Sequence, residues 1–184
     1  KEFYDNNLET IAEQYEALSQ KLVEEQLKIK VEFAAEYYLD EFFVEKLNQK
    51  EDLLSFGKKY VLIETSFYNA PVFLKDVFFK LSTLGYRPVF AHPERYSYLH
   101  QNEKLLDELN EMQVHFQINI GSLMGGYGPQ VKKLAEKMID KGYIHFIGSD
   151  CHNLAQAEMV QKAVDSKIYR TLPFENLLNN TLLN

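Results

Sequence analysis

Only one cysteine, Cys151, occurs in 184 residues, so an internal disulfide framework is excluded and a reducing, cytoplasmic setting is expected. No apolar run approaches the roughly eighteen residues of a membrane span, and no secretory signal pattern opens the chain. Positive charge is scarce. With 20 Lys and Arg against 27 Asp and Glu, the formal charge is −7. Nucleic-acid binding driven by overall charge is disfavoured, because phosphate backbones demand a basic surface. Low-complexity segments, linkers and short internal repeats are also missing. What remains reads as one domain over 1–184, long enough to bury about 70% of its unfolded surface. The chain opens on Lys1 rather than Met, which suggests processing, a trimmed tag or a fragment.

Hydrophobic periodicity supplies the elements. Leu8, Ile11, Tyr15, Leu18, Leu22 and Val23 form an apolar stripe over 7–25, capped by Asp5 or Asn6, and predict a helix packed on the core. Over 27–37, Ile29, Val31, Phe33 and Ala35 alternate with charged or small residues, predicting a strand that ends at Glu36. A short helix follows at 38–48. A second strand at 60–63 closes in Glu64. Pro71 opens a helix that Gly85 stops, with Phe73, Val77, Phe78 and Leu81 inward. A third strand at 87–91 runs into His92. A helix around 102–112, a strand through Val114, Phe116, Ile118 and Ile120, a flexible loop at 121–128 and a helix at 129–141 come next. A buried strand through Ile144, Phe146 and Ile147 closes at Gly148, and helices near 155–166 and 174–183 finish the chain. Strands alternating with helices across long connections predict a parallel sheet with helical crossovers, or part of a (β/α) barrel.

The chemistry-bearing residues fall at strand ends. Glu36, Glu64, His92 and the pair Asp150/His152 each follow a predicted strand, and only the fourth strand differs, offering Asn119. In a parallel barrel such ends converge on one rim. Three carboxylates and two imidazoles are oxygen and nitrogen ligands suited to manganese, zinc or iron. Glu36 to Glu64 and Glu64 to His92 are each 28 residues, about one strand–helix unit. Cys151 should point away from its two neighbours and pack inward, because side chains alternate along an extended segment. Ser149 has no base or orienting partner, which rejects a serine-hydrolase reading. His115 and His145 read as hydrogen-bonded strand residues and His100 as exposed. Tyr96, Tyr98 and Tyr127 are candidates for an aromatic groove, and the 121–128 loop for a lid.

Phe90-Ala91-His92-Pro93-Glu94-Arg95-Tyr96 and Gly148-Ser149-Asp150-Cys151-His152-Asn153 closely resemble the capsular-polysaccharide tyrosine phosphatases of the polymerase-and-histidinol-phosphatase (PHP) superfamily. The resemblance covers essentially the whole chain. It implies a distorted seven-stranded TIM-like (β/α) PHP barrel, here lacking its first two strands and keeping about five parallel strands. It also implies up to three metals, usually Mn2+ with Fe or Zn as alternatives, and hydrolysis of phosphotyrosine by metal-activated water. By resemblance Glu36 is a bridging carboxylate, Glu64 and His92 complete one metal, Asp150 serves another and His152 the third. His92, Asp150 and Arg95 form the catalytic group. Arg95 clamps phosphate because guanidinium offers a planar fork of donors, a surface salt bridge with Glu94 or another acid being the alternative. The implied substrate is a phosphotyrosine protein, the tyrosine-rich tail of a membrane tyrosine kinase that regulates polymer length.

Two departures stand out. The family's amino-terminal His-x-His and Asp-Asp-Gly and its later Thr-Pro-His do not occur, and Ala157 stands where many relatives carry arginine. The chain is therefore expected to be a weak enzyme by itself, with open sheet edges that invite dimerisation. Rival readings are a PHP phosphoesterase acting on a small molecule such as histidinol phosphate, and a non-catalytic binding module.

Overall fold

A computed structural model describes residues 7–182. Helix α1 spans Leu8–Glu24 and strand β1 Glu36–Tyr38, followed by α2 Glu41–Asn48, β2 Tyr60–Glu64, α3 Leu74–Thr83 and β3 Arg87–Ala91. A 3-10 turn at Pro93–Arg95 leads into α4 Ser97–Gln101 and α5 Lys104–Glu111. Next come β4 His115–Asn119, α6 Ile120–Leu123, α7 Pro129–Asp140, β5 Phe146–Gly148, α8 Leu154–Val164 and α9 Lys167–Arg170. The five strands pair in parallel in the order β1-β2-β3-β4-β5. The expected parallel sheet with helical crossovers is therefore present. Among the described residues no helix is long and apolar enough to cross a membrane.

Helices after the strands return over one face. Phe43 and Leu47 of α2, Leu74, Val77, Phe78 and Leu81 of α3, and Leu134, Ala135 and Met138 of α7 pack with Val61, Ile63, Phe90, Phe116 and Ile118 in one continuous core. Burying each large side chain contributes about 1.5–3 kcal/mol. The opposite face carries a smaller cluster, Tyr60, Val89 and Phe146, covered by Phe56, Leu178 and Leu182. Toward the carboxyl ends of the strands that face becomes polar. A cavity of about 210 Å³ opens there, running from Leu62, Val89 and Phe146 up to Glu36, His92 and Asp150.

Several sequence expectations need correcting. The α1 stripe contributes no buried residue: Leu8, Leu18 and Val23 are exposed. Its Tyr15 ring packs on Phe33, 4.8 Å between centroids, and donates to the Val31 carbonyl at 3.1 Å. The alternation in 27–35 thus belongs to an extended segment lying along α1, and only Glu36–Tyr38 joins the sheet, so Glu36 begins β1 instead of following it. Asp5 and Asn6 lie outside the described residues; Asn7 is the N-cap, its side chain accepting from Thr10 N. The helix expected around 102–112 forms as α5, Lys104–Glu111, and the short α4 precedes it. The 121–128 loop starts as a buried helical turn, with Gly121, Ser122 and Leu123 inside. Two 3-10 turns, Phe174–Asn176 and Leu178–Thr181, replace the helix at 174–183, whose last residue is outside the described range.

Candidate metal centre

His92 is the hub. It follows β3 with φ of 32°, and Asp150 follows β5 with φ of 49°, a left-handed backbone that costs a side-chain-bearing residue about 1–3 kcal/mol. The bend turns the imidazole across the rim. His92 Nε2 lies 3.5 Å from Glu36 Oε1, 3.6 Å from Glu64 Oε1 and 4.0 Å from Asp150 Oδ2. Glu36, His92 and Asp150 each offer a ligand atom within 4.8 Å of the other two. The His92 ring is buried and its Nδ1 has no hydrogen-bond partner.

The electrostatics are strained in one direction. Burial raises the Glu64 carboxyl above its ordinary value, and the nearby charges of Glu36 and Asp150 add to the rise. Burial alone would pull His92 down, but Glu36 and the charge of Glu94 outweigh it and leave the imidazole raised. Three crowded carboxylates face one partly compensating guanidinium. A divalent cation fits this donor set, because it would relieve the carboxylate repulsion and accept the Nε2 lone pair.

Arg95 approaches from the same turn as His92. Its Nη1 donates to Asp150 Oδ2 at 2.7 Å, and Asn119 Nδ2 donates to that same oxygen at 2.7 Å. The acid partner weighed against the phosphate clamp is thus Asp150. Asn119 is fixed in turn by Gln117, whose Nε2 donates to Asn119 Oδ1 at 2.8 Å. Gln117 lies across Gly148: a Cβ there would stand 2.5 Å from Gln117 Nε2, so a larger residue would have to displace the Gln117 amide.

His152 sits at the outer edge, its side chain 64% exposed, with Nδ1 3.5 Å from Asp150 Oδ1 and bonded to the Asp150 carbonyl at 2.9 Å. It does not join the Glu36–His92–Asp150 cluster. Cys151 is exposed, with Sγ 3.4 Å from the Asn153 carbonyl, so it does not pack inward as alternation implied; the left-handed Asp150 breaks that alternation. Ala157 is exposed on α8. Tyr96 and Tyr98 are not groove residues. Tyr96 is fully buried, its hydroxyl accepting from Thr65 N at 3.2 Å, and Tyr98 is half-buried against Thr65 Oγ1 at 2.7 Å. His100 is only part-exposed, with Nε2 bonded to the Glu94 carbonyl at 2.7 Å.

Sequence reasoning weighed Glu94 only as a surface salt-bridge partner of Arg95 and missed its structural role. It is fully buried, and Oε1 accepts from Asn119 N at 2.9 Å and Ser122 Oγ at 2.7 Å, tying the turn after β3 to the start of α6. Burial raises its carboxyl. Its position between His92 and Arg95 was the available signal. Phe67 was also missed: its ring stacks on His92 at 5.9 Å and packs against the Arg95 guanidinium.

The class defined so far is a parallel α/β protein whose rim gathers carboxylates, an imidazole and an arginine, a donor set that could hold a metal ion. The family described as capsular polysaccharide synthesis, CpsB/CapC, matches residues 1–177, and the chain belongs to that family. It is 32% identical over 151 residues to the tyrosine-protein phosphatase YwqE of Bacillus subtilis, covering 82% of this chain and 59% of YwqE. Against the tyrosine-protein phosphatase CpsB of Streptococcus pneumoniae it is 30% identical over 171 residues, covering 90% of this chain and 70% of CpsB. A solved structure from work on YwqE and CpsB, described as unique metal-dependent tyrosine phosphatases, superposes with a TM-score of 0.76 at 29% identity. That match covers 98% of this chain and 77% of the other. The chain thus spans about three-fifths of YwqE.

Proposed function

We propose that this chain carries the rim of a metal-dependent phosphatase acting on phosphotyrosine in proteins, within a PHP-type barrel and with Mn2+ as the metal. The observation that carries the reading is the convergence of Glu36, Glu64 and Asp150, from three separate strands, within 4.0 Å of one imidazole nitrogen. In this reading Glu36, Glu64, His92 and Asp150 hold the cations, and His152 contributes from the rim. Bound there, divalent metal would supply an activated water and neutralise charge on the phosphoryl oxygens. Arg95 directs its guanidinium at the equatorial oxygens of the phosphoryl group, and Asp150 and Asn119 keep it and the carboxylate in register. A phosphotyrosine tail, such as that of a membrane tyrosine kinase acting on polymer length, fits as substrate, since the named relatives are tyrosine-protein phosphatases.

The test is hydrolysis of a phosphotyrosine peptide with added Mn2+, repeated after chelation. Turnover that chelator abolishes and Cys151→Ser preserves is the expected result. Turnover insensitive to chelator, or lost with Cys151, would sink the proposal in favour of a thiol nucleophile.

A further inference from the structure

The setting of Arg95 goes beyond a charge beside a metal site. Its guanidinium carbon lies 4.7 Å from the centre of the Phe67 ring and 4.3 Å from that of Tyr127. The two rings arrive from different places, Phe67 just after β2 and Tyr127 from the segment after α6. Asp150 occupies one edge through Nη1 at 2.7 Å. The side chain is 22% exposed and is thus not sealed from solvent. An unrestrained arginine carries about 2 kcal/mol of rotamer freedom, which must be surrendered whenever it grips an anion. Two rings and a carboxylate remove much of that freedom beforehand.

Both rings are themselves secured. Phe67 stacks on His92 at 18° between planes and packs on Tyr96 at 5.6 Å, so it links the guanidinium to the hub imidazole. Tyr127 belongs to the glycine-rich stretch that fits no phosphate-loop pattern. A Cβ at Gly121 would stand 2.6 Å from Met159 Cε and 3.4 Å from Tyr127 Cε2, so the Met159 side chain and the tyrosine ring both lie against this glycine. The stretch therefore acts as a mount for one ring.

We propose that Phe67 and Tyr127 are positioning residues that hold the Arg95 guanidinium in one orientation for an incoming phosphoryl oxygen. The proposal rests on the phosphatase reading above. Its test uses the Mn2+-supplied protein, with inorganic phosphate titrated by calorimetry and KM and kcat measured on a phosphotyrosine peptide. Tyr127→Leu should raise the phosphate Kd and the KM on the order of tenfold, with a smaller change in kcat, the scale expected for a partly desolvated cation–ring contact. Tyr127→Phe, which keeps the ring, should recover most of that loss. In an Arg95→Ala background, Tyr127→Leu should add nothing further, because its effect passes through the arginine. Phe67→Leu should behave alike. Should it unfold through its contacts with His92 and Tyr96, the Tyr127 cycle decides alone. Wild-type affinity in Tyr127→Leu, or the same loss with Arg95 absent, overturns the inference while leaving the phosphatase reading intact. Failure of the unsubstituted protein both to bind phosphate and to hydrolyse the peptide overturns the two together.

Discussion

Two histidines at opposite ends of one sheet show how little a residue type says without its surroundings. His92 follows β3 at the carboxyl rim; His145 precedes β5 at the amino end. Burial works against the charged form of both. At His92, Glu36 and Glu94 reverse that influence and the imidazole is raised. At His145 burial is reinforced by His115, whose ring lies 4.9 Å away, and the pKa is pushed down to about 4. His145 Nδ1 accepts from Phe116 N at 3.1 Å, so the neutral ring is part of the hydrogen bonding between β4 and the start of β5. The expectation of hydrogen-bonded strand histidines holds here, with His115 Nδ1 3.3 Å from the Pro88 carbonyl. At one end of the sheet carboxylates raise the imidazole, and at the other burial lowers it.

The sharpest way to break this contrast is to remove each ring. His92→Ala should lower Mn2+-dependent phosphotyrosine hydrolysis on the order of a thousandfold, whereas His145→Gln should stay within roughly threefold of the parent. Equal losses would erase the functional difference between the ends.

A middle-sized effect concerns what braces the rim. Glu94→Ala should destabilise the protein by about 1–3 kcal/mol in urea unfolding, because Asn119 N and Ser122 Oγ lose their buried acceptor. Glu94→Gln, which keeps an acceptor oxygen, should cost less; equal costs would mean that charge, not hydrogen bonding, is what matters there.

The smallest effect is a pH slope. His145 binds fewer protons folded than unfolded, so its contribution to stability is complete above pH 6.5 and is lost as pH falls toward about 4. The loss should be about 1–2 kcal/mol once solvent screening of the partly exposed ring is allowed for. Denaturation midpoints measured across that range should flatten in His145→Gln. An unchanged slope would assign the acid sensitivity to the carboxylates of the rim.

How far the sequence could be read depended on how local the signal was. Strand β3 and helix α7 carry continuous patterns bounded by Pro and Gly, and both form where the pattern places them. Helix α1 also formed, but periodicity describes one face of a helix and not what covers it. α3 buries four side chains with a similar pattern and α1 buries none. The 27–35 alternation misled for a related reason: an extended chain has period two whether its neighbour is a strand or a helix. At the rim, Glu36, Glu64, His92, Arg95 and Asp150 could be listed from strand ends and motif. The burial of Glu94 and the contact of Phe67 with Arg95 could not be read there, since nothing local marks a carboxylate as buried or a ring as facing an arginine.

Residue order alone determined that strands would alternate with helices and so run parallel, because the linking segments are too long for hairpins and too apolar on one side to stay in water. It also placed an acid at the end of β2 and an imidazole directly after β3. Which of them meet was decided by folding: left-handed bends at His92 and Asp150, a buried Glu94 and a glycine making room for Gln117 aim side chains that sequence spacing leaves undirected. Contacts across a sheet depend on where several strands stop relative to one another, and that relation exists only once they are paired.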